Sequence, residues 1–581
     1  MVPQLRLAVW SCVLSALLTG FGDGSARASA LAASPFGAVI ASAEAAREPG
    51  DPTKGNRLAI ISGGYDALLL RVHLIRQAKV SVSIQTFIWT NDESGRLLIY
   101  ELIEAARRGV RVRILADHMV SEQDPATMAF LATAHPSLEV KHYRPAAGRI
   151  KPSWWRKLVA GAVAFRDTNQ RMHNKVFLVD DVVLVTGGRN VENTYFDHST
   201  AMNFRDRDVL AVGPVVRGAV ESFEQFWRYR EAVTSRDLKD VSGIIESGKF
   251  RRYETKSDYD FGLHFAALTR EADDAGVVSE RFAARLKAVR AVTFISDEPG
   301  KSGAKEGDEL PRITRALRTA LEQAKRSIVM QSPYLVLSKP ARALIREMQA
   351  KNPELRIRIS TNSFASTDNL FAYSANYRLR NDYVEELRLE VHEFKPLPGS
   401  LLTLFPRQPE MAAVATTQAK AGKPVRPPFL CVHAKSLVVD GRLAFVGSYN
   451  LDPRSEQLNT EVGLLVADEA FASELSAEIE RDILPENSWV IGRRVLPLRL
   501  EAVNKIIDDA LSLGPIDVWP FQNTSSFELK AGAPAVAPGH PDFHRHYRDV
   551  GPFPGTEGLL STKEILTRLY KAVGAPLTPI L

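Results

Sequence analysis

From Leu58 onward the apolar residues fall into two rhythms that alternate along the chain. Helical spacing over Asp66–Gln77 and Gly95–Arg108 is interleaved with apolar runs of strand length, Val80–Trp89 and Val110–Asp117. The same order returns later, with helices over Arg312–Lys325 and Ala341–Gln349 and strands over Ser327–Tyr334 and Leu355–Asn362. Strands alternating with helices of this length predict parallel βαβ units and an α/β fold. The offsets point to a duplication, since Gln85 and Gln331 are 246 residues apart and Asp117 and Asn362 are 245 apart. Two chemical motifs lie 260 residues apart, and the Ala-, Thr-, Lys- and Pro-rich stretch from Gln408 to Pro428 reads as the extra loop.

The chain ends read differently. Arg6 precedes an uncharged apolar run, Leu7–Phe21, which is followed by Ala26-Arg27-Ala28 and Ala28-Ser29-Ala30. Residues 1–30 therefore read as a signal peptide, or as a membrane anchor if uncleaved, of an exported protein that is periplasmic or held at a bacterial inner membrane. The run of about 15 residues falls short of the ~20 a spanning helix needs. Residues 31–56, rich in Ala, Gly, Pro and Glu, read as a linker. Residues 57–285 and 286–490 form the two repeats. Residues 491–581 read as an extension without a counterpart, ending in a short helix over Lys563–Ala572.

Composition narrows the class. Across 581 residues, 45% apolar and 24% charged positions exclude a largely disordered chain. A net charge of +6 suits an anionic partner without choosing between lipid and nucleic acid. Two cysteines, Cys12 and Cys431, exclude a disulfide scaffold and a cysteine-built zinc site.

The chemistry is concentrated in a repeated motif. One copy runs from His173 through Lys175 to Asp180, then six residues to Gly187-Gly188-Arg189-Asn190. The other runs from His433 through Lys435 to Asp440, then six residues to Gly447-Ser448-Tyr449-Asn450. A chance His-x-Lys-x4-Asp is expected only ~0.03 times in such a chain, so two copies at one spacing mark a duplicated site. On an extended strand His173 and Lys175 share a face, as do His433 and Lys435. Burying a lysine is costly unless it binds an anion, so each half offers an imidazole and an ammonium to a phosphate.

Asp180 and Asp440 close the two catalytic motifs at Asp-Asp and Asp-Gly hairpin tips, where they are expected to hold the turn rather than act as acids. The second arm of each hairpin is expected to deliver its glycine pair to a helix start. Backbone N–H groups there, with Asn190 and Asn450 beside them, are expected to bind an anion. Neither half suffices alone, because two-step phosphodiester chemistry needs a nucleophile on one side of phosphorus and an acid on the other.

The duplicated motif resembles the phospholipase D superfamily, over roughly residues 57–485. Gln85-Thr86-Phe87-Ile88-Trp89, Asp92-Glu93-Ser94-Gly95, Phe204-Arg205-Asp206 with Gly213-Pro214, and Gly447–Ser455 with Asn459 and Glu461 resemble bacterial cardiolipin synthases. Phe294–Lys301 and Thr361–Asp368 are most similar to their C-type branch. The resemblance implies two tandem αβα domains about a pseudo-two-fold axis with one shared active site. It also implies metal-independent phosphatidyl transfer through a phosphohistidine, with cardiolipin formed from phosphatidylglycerol and a second phospholipid. The alternatives are a hydrolytic phospholipase D and a phosphodiesterase acting on nucleic acid.

By that resemblance His173 attacks phosphorus and His433 protonates the leaving alcohol, while Lys175, Lys435, Asn190 and Asn450 hold the phosphoryl oxygens. Ser448 matches the family's motif serine as a substrate-binding donor; Gly188 replaces it in the first copy, leaving donor duty there to backbone. Glu461, 28 residues after His433, is expected to orient an imidazole by accepting its second N–H. Asp206, or failing that Asp208, is its first-half counterpart. The partners implied are phospholipids and a membrane surface, with no cofactor, no metal, no nucleic acid and no obligate protein partner. Trp154-Trp155-Arg156-Lys157 suits either a bilayer interface or core packing. His540, His544 and His546 read as a solvated loop.

Overall fold

The computed structural model describes residues 31–118, 121, 124–145, 148–151, 170–261, 265–301, 309–418, 425–495 and 523–556. Residues 1–30, the Trp154-Trp155 segment and the helix expected over Lys563–Ala572 lie outside these. Among the described residues no helix is long and apolar enough to cross a membrane.

Up to residue 288 the strands are β1 (Arg57–Ile61), β2 (Ser81–Thr86), β3 (Arg111–Asp117), β4 (Leu138–Tyr143), β5 (Val176–Val179), β6 (Val183–Gly187), β7 (Met202–Arg205), β8 (Asp208–Val212), β9 (Ala232–Thr234) and β10 (Lys287–Ala288). They continue with β11 (Val292–Ser296), β12 (Ser327–Gln331), β13 (Arg356–Asn362), β14 (Glu390–Phe394), β15 (Phe429–Val432) and β16 (Ser436–Val439). The last are β17 (Leu443–Gly447), β18 (Val462–Ala467), β19 (Ser488–Arg493), β20 (Thr524–Leu529) and β21 (Tyr547–Gly551).

One sheet orders them β10-β1-β8-β6-β5-β2-β3-β4-β9, and the other β11-β18-β17-β16-β12-β13-β14-β19-β20-β21. Eight consecutive positions, β1 to β9 and β11 to β19 in spatial order, therefore repeat. Within each repeat three strands are parallel, β2-β3-β4 and β12-β13-β14, and the motif strands β5 and β16 join them antiparallel. The fold is α/β, with two halves that repeat one strand order, as the expected pseudo-two-fold duplication requires.

The helices expected between strands form where expected. Gly64–Gln77 and Glu93–Arg107 lie between the first strands, and Arg312–Glu322 and Lys339–Lys351 repeat them. Asp92 caps the second of these by accepting the Gly95 N–H, and Ser338 caps the fourth by accepting that of Ala341.

The halves meet in a common core. Leu58, Ile60, Val176, Leu178 and Leu184 of the first sheet join Val438, Ala444, Val446, Val462 and Leu464 of the second, packed with helices Val216–Trp227 and Glu469–Asp482. Each fully buried Leu or Val contributes roughly 1.5–3 kcal/mol, enough to fix the orientation of the halves. A two-stranded parallel ribbon, β7 with β15, also crosses between them.

Four boundary readings are corrected. Residues 31–56 are not a linker: Phe36–Ala45 is helical, and Leu31, Phe36, Ile40 and Ala43 are buried in the first core. An alanine-rich stretch reads as flexible, yet alanine is also the best helix former once a neighbour covers one face. The first half extends to β10, which pairs with β1, so the junction lies after Ala288. The second half does not end at 490, because that position falls inside β19 and β20 and β21 continue the sheet. The stretch from Gln408 to Pro428 begins as a helix, Gln408–Gln418. Within the extension His544 packs edge-on against Phe527 and Phe543.

Candidate active site

Each motif begins just ahead of the strand β5 or β16 and ends at a tight turn. Asp180 and Asp181 adopt φ of 51° and 55°, and Asp440 and Gly441 adopt 52° and 67°, so both turn residues of each hairpin are left-handed. The Asp180 carboxylate accepts the N–H groups of Lys79, Val80 and Ser81 at 2.9, 2.7 and 2.9 Å. Asp440 does the same for Lys325, Arg326 and Ser327 at 2.8, 2.7 and 2.8 Å. These carboxylates tie the hairpin tips to the starts of β2 and β12. They are structural members of the motif and stand outside the reaction.

At the other end the chain is clamped just before each histidine. Asp117 accepts the Met172 N–H at 2.9 Å, and Asn362 accepts the Val432 N–H at 2.7 Å while donating to its carbonyl at 2.8 Å. The next N–H crosses to the opposite half: His173 donates to the Thr460 carbonyl and His433 to that of Arg205, at 3.0 and 2.9 Å.

The imidazoles cross as well. His173 Nδ1 lies 2.8 Å from Glu461 Oε2, and His433 Nδ1 lies 2.6 Å from Asp206 Oδ2. Each carboxylate thus serves the histidine of the other half, a choice the sequence alone leaves open. Asp208 pairs instead with Arg71 at 2.9 Å, away from the histidines. Phe87 meets the His173 ring edge-on at 4.8 Å, and Phe204 and Tyr195 pack on His433 at 4.7 and 5.1 Å. Both histidines line one cavity of about 220 Å³, with Asn190, Asn450, Tyr195, Tyr334, Asp368, Arg454 and Asn459 in its wall.

The lysines are buried at 3% and 1% exposure. Lys175 Nζ donates to the His173 carbonyl at 2.7 Å and stands 5.1 Å from the centre of the Phe87 ring. Lys435 donates to the His433 carbonyl and lies against the His433 ring, 2.8 Å from its nearer nitrogen. Asn190 donates to the Tyr195 hydroxyl at 2.8 Å. The carbonyl oxygens of Asn450 and Asn459 are buried without a partner. An amide has two orientations, so either can present its NH₂ to an anion.

Gly188 and Ser448 are not placed as donors to a ligand. Their N–H groups are consumed by the neighbouring strands, at Arg207 and Val462 carbonyls 3.1 and 2.8 Å away. No helix of eight residues follows either pair; a short 3₁₀ turn, Asn193–Tyr195, and the helix Pro453–Gln457 stand there. A Cβ at 188 would come 2.1 Å from Asp206 Oδ1, so glycine leaves room for the carboxylate that His433 needs. The Ser448 hydroxyl donates to Glu461 Oε2. Both residues position the crossed carboxylates, which is why one copy has glycine and the other serine.

Tyr195 and Tyr334 were not singled out by any motif, and Asp368, Arg454 and Asn459 were noted only within family-like stretches. Tyr195 had one signal, since it occupies in the first copy the place of Ser455, five residues after the motif asparagine.

The family described as cardiolipin synthase, phospholipase D-like domain, matches residues 72–227 and 317–483. The chain belongs to the phospholipase D superfamily. Cardiolipin synthase C of Escherichia coli is 31% identical over 412 residues, covering 70% of this chain and 80% of that one. A Helicobacter pylori protein of unassigned function is 30% identical over 461 residues, covering 78% and 84%. A solved structure, the phosphatidylserine synthase of Haemophilus influenzae, is 14% identical, with a TM-score of 0.49 over 78% of this chain and 92% of that one. The protein is a cardiolipin synthase-like enzyme of the phospholipase D type.

In this phospholipase D site the electrostatics differ between the halves. Burial, reinforced by Lys175, Lys435 and Arg454, pushes the His173 imidazole far below its ordinary pKa. Burial and Lys435 also lower His433, to about 4, with Asp206 pulling the other way. Burial opposes ionisation of Asp206, but His433 and Lys435 outweigh it and hold the carboxyl below the usual range. Glu461 goes the other way: burial raises it to about 7, against Lys175 and the Ser448 and Ser455 hydroxyls. Burial pulls Lys175 well below the usual ammonium range and Lys435 down to about 8. Such a site is short of negative charge, and a phosphodiester supplies it.

Proposed function

We propose that this enzyme transfers a phosphatidyl group between phospholipids, forming cardiolipin from phosphatidylglycerol and a second phospholipid through a phosphohistidine at His173. The observation that carries the reading is a pair of imidazoles lining one cavity, each tied by Nδ1 to a buried carboxylate and each with a buried lysine two residues on. Tying Nδ1 fixes the tautomer and leaves Nε2 for chemistry.

In the first step His173 Nε2 attacks phosphorus and the P–O bond to the headgroup breaks. His433 gives its Nε2 proton to the departing alkoxide. In the second step an acceptor hydroxyl loses its proton to His433, its oxygen attacks phosphorus from the same side, and the P–N bond breaks. Lys175 and Lys435 hold the non-bridging oxygens, where charge is concentrated in the transition state. The nucleophile must be neutral and the acid able to hold a proton. The further-depressed His173 suits the first role, and His433 beside its ionised Asp206 suits the second. The names of the relatives support lipid over nucleic acid as substrate, and the N-terminal pattern supports work at the outer side of the inner membrane.

The test is to incubate the purified protein with labelled phosphatidylglycerol, with and without a second phospholipid, and identify the products. Labelled cardiolipin supports transfer. Phosphatidic acid alone would make the enzyme a hydrolase.

A further inference from the structure

The cavity is not symmetric, although the halves that build it are. Its wall carries an aspartate contributed by the loop after β13, Asp368, for which the reaction above has no use. The Tyr334 hydroxyl donates to Asp368 Oδ2 at 2.8 Å, fixing an exposed side chain at the cavity wall. The neighbouring Asn369 and Ala372 line the same cavity. Cys431 stands two residues before His433, and its Sγ lies 3.9 Å from Asp368 Oδ1, whereas Ser455, next to Arg454, donates to Glu461, the carboxylate of His173, at 2.7 Å. The cavity therefore has a carboxylate on the side of the acid and a guanidinium on the side of the nucleophile.

In-line displacement puts the leaving oxygen opposite the nucleophile. The headgroup then lies on the His433 side, in the first step as leaving alcohol and in the second as attacking alcohol. We propose that Asp368 is the residue that reads this headgroup, its carboxylate accepting a hydrogen bond from a hydroxyl or primary ammonium group on the alcohol that His433 protonates and deprotonates. The proposal rests on the phosphatidyl-transfer reading and names what that reading leaves open, the chemistry by which a headgroup is chosen. An ionised carboxylate has room for several donors, and the Tyr334 hydroxyl and the Cys431 thiol take one place each, on Oδ2 and Oδ1. Trimethylated choline offers no N–H or O–H donor and is the control headgroup.

The experiment compares kcat/KM for vesicle lipids of identical acyl chains carrying glycerol, ethanolamine or choline headgroups. A nitrophenyl phosphodiester serves as the probe of the phosphoryl-transfer machinery alone. The wild type should prefer the two donor-bearing headgroups over choline by roughly tenfold or more, the worth of one hydrogen bond to a charged group. Asp368→Asn should cut kcat/KM for glycerol and ethanolamine lipids by roughly 10–100-fold, chiefly through KM, and collapse the preference over choline. A larger loss for ethanolamine marks charge pairing; equal losses mark hydrogen bonding alone. Asp368→Glu, which keeps the carboxylate on a longer arm, should recover part of the preference. Tyr334→Phe, which frees the carboxylate to swing, should weaken it by less than Asp368→Asn does. One common factor of loss for all three lipids, or no loss, overturns the proposal. If the wild type cleaves the nitrophenyl ester but no phospholipid, the phosphatidyl-transfer reading fails and takes this one with it.

Discussion

Asp206→Asn tests the crossed pairing directly. The Asp206 carboxylate is buried, accepts from His433 Nδ1 at 2.6 Å and accepts the Arg207 N–H at 2.7 Å. Asparagine keeps the shape and removes the charge. With the two charge centres roughly 4–5 Å apart and an effective dielectric near 20, that charge favours the His433 imidazolium by about 3–4 kcal/mol. His433 has only partly given up its proton in the transition state, so only part of this reaches the rate, about 2–3 kcal/mol or roughly 30–200-fold. The loss should depend on the leaving group. An alkyl headgroup needs the proton, so lipid turnover should fall by the full factor. A nitrophenolate needs little help, so its burst should fall by less than about threefold. Rapid-quench kinetics on both substrates read the difference, with thermal unfolding run alongside because an amide facing the Arg207 N–H costs about 1–3 kcal/mol of stability. Equal losses on both substrates would refute the assignment of Asp206 to the acid. Leaving-group dependence in Glu461→Gln but not in Asp206→Asn would exchange the roles of the two halves.

Gly188→Ser should be nearly as damaging as Asp206→Asn, because its Cβ would meet Asp206 Oδ1 at 2.1 Å and push the carboxylate off His433; lipid turnover is expected to drop roughly 10–100-fold. Asp180→Asn should leave the kcat of folded enzyme within about twofold and cost about 1–3 kcal/mol of stability in denaturant unfolding, since it weakens three N–H contacts remote from the cavity. With Lys435 held down to about 8 by burial, kcat/KM should fall as pH rises through that value, because the ammonium that holds phosphate loses its proton. Lys435→Arg should be slower overall but lose that alkaline limb, the guanidinium staying charged.

Much of this was legible in the residues. The order of helices and strands and the two hairpins follow from local periodicity, which does not depend on the rest of the chain, whereas the His-Lys pairs, expected on the strands, stand just ahead of β5 and β16. The roles of Asp180 and Asp440 were legible from turn chemistry. The carboxylate exchange was not, because Asp206 and Glu461 choose a histidine only once the halves pack through the common core. Nor was the reason for Gly188, a space 2.1 Å from an atom eighteen residues onward that no spacing rule encodes. The expected backbone anion site failed because neighbouring strands take those N–H groups, a tertiary event. The helix Phe36–Ala45 and strands β20 and β21 were missed because an alanine-rich stretch and isolated strands of six and five residues carry little periodic signal and become ordered by docking. Tyr195 and Asp368 come from connections whose sequence carries no periodic signal, and Tyr334, read as the end of a strand, lies beyond Gln331, where that strand stops.

The covalent step is where the account stands or falls, and the position of the label decides it. Incubating His433→Ala enzyme with a nitrophenyl phosphodiester labelled at phosphorus, quenching under denaturing alkaline conditions and mapping the labelled peptide reads which imidazole was attacked. The expected result is one phosphoryl label per chain on His173, formed in a burst and slow to turn over, with none in His173→Ala. Label on His433 of the wild-type enzyme, or a burst of nitrophenolate with no label on either histidine, would contradict it.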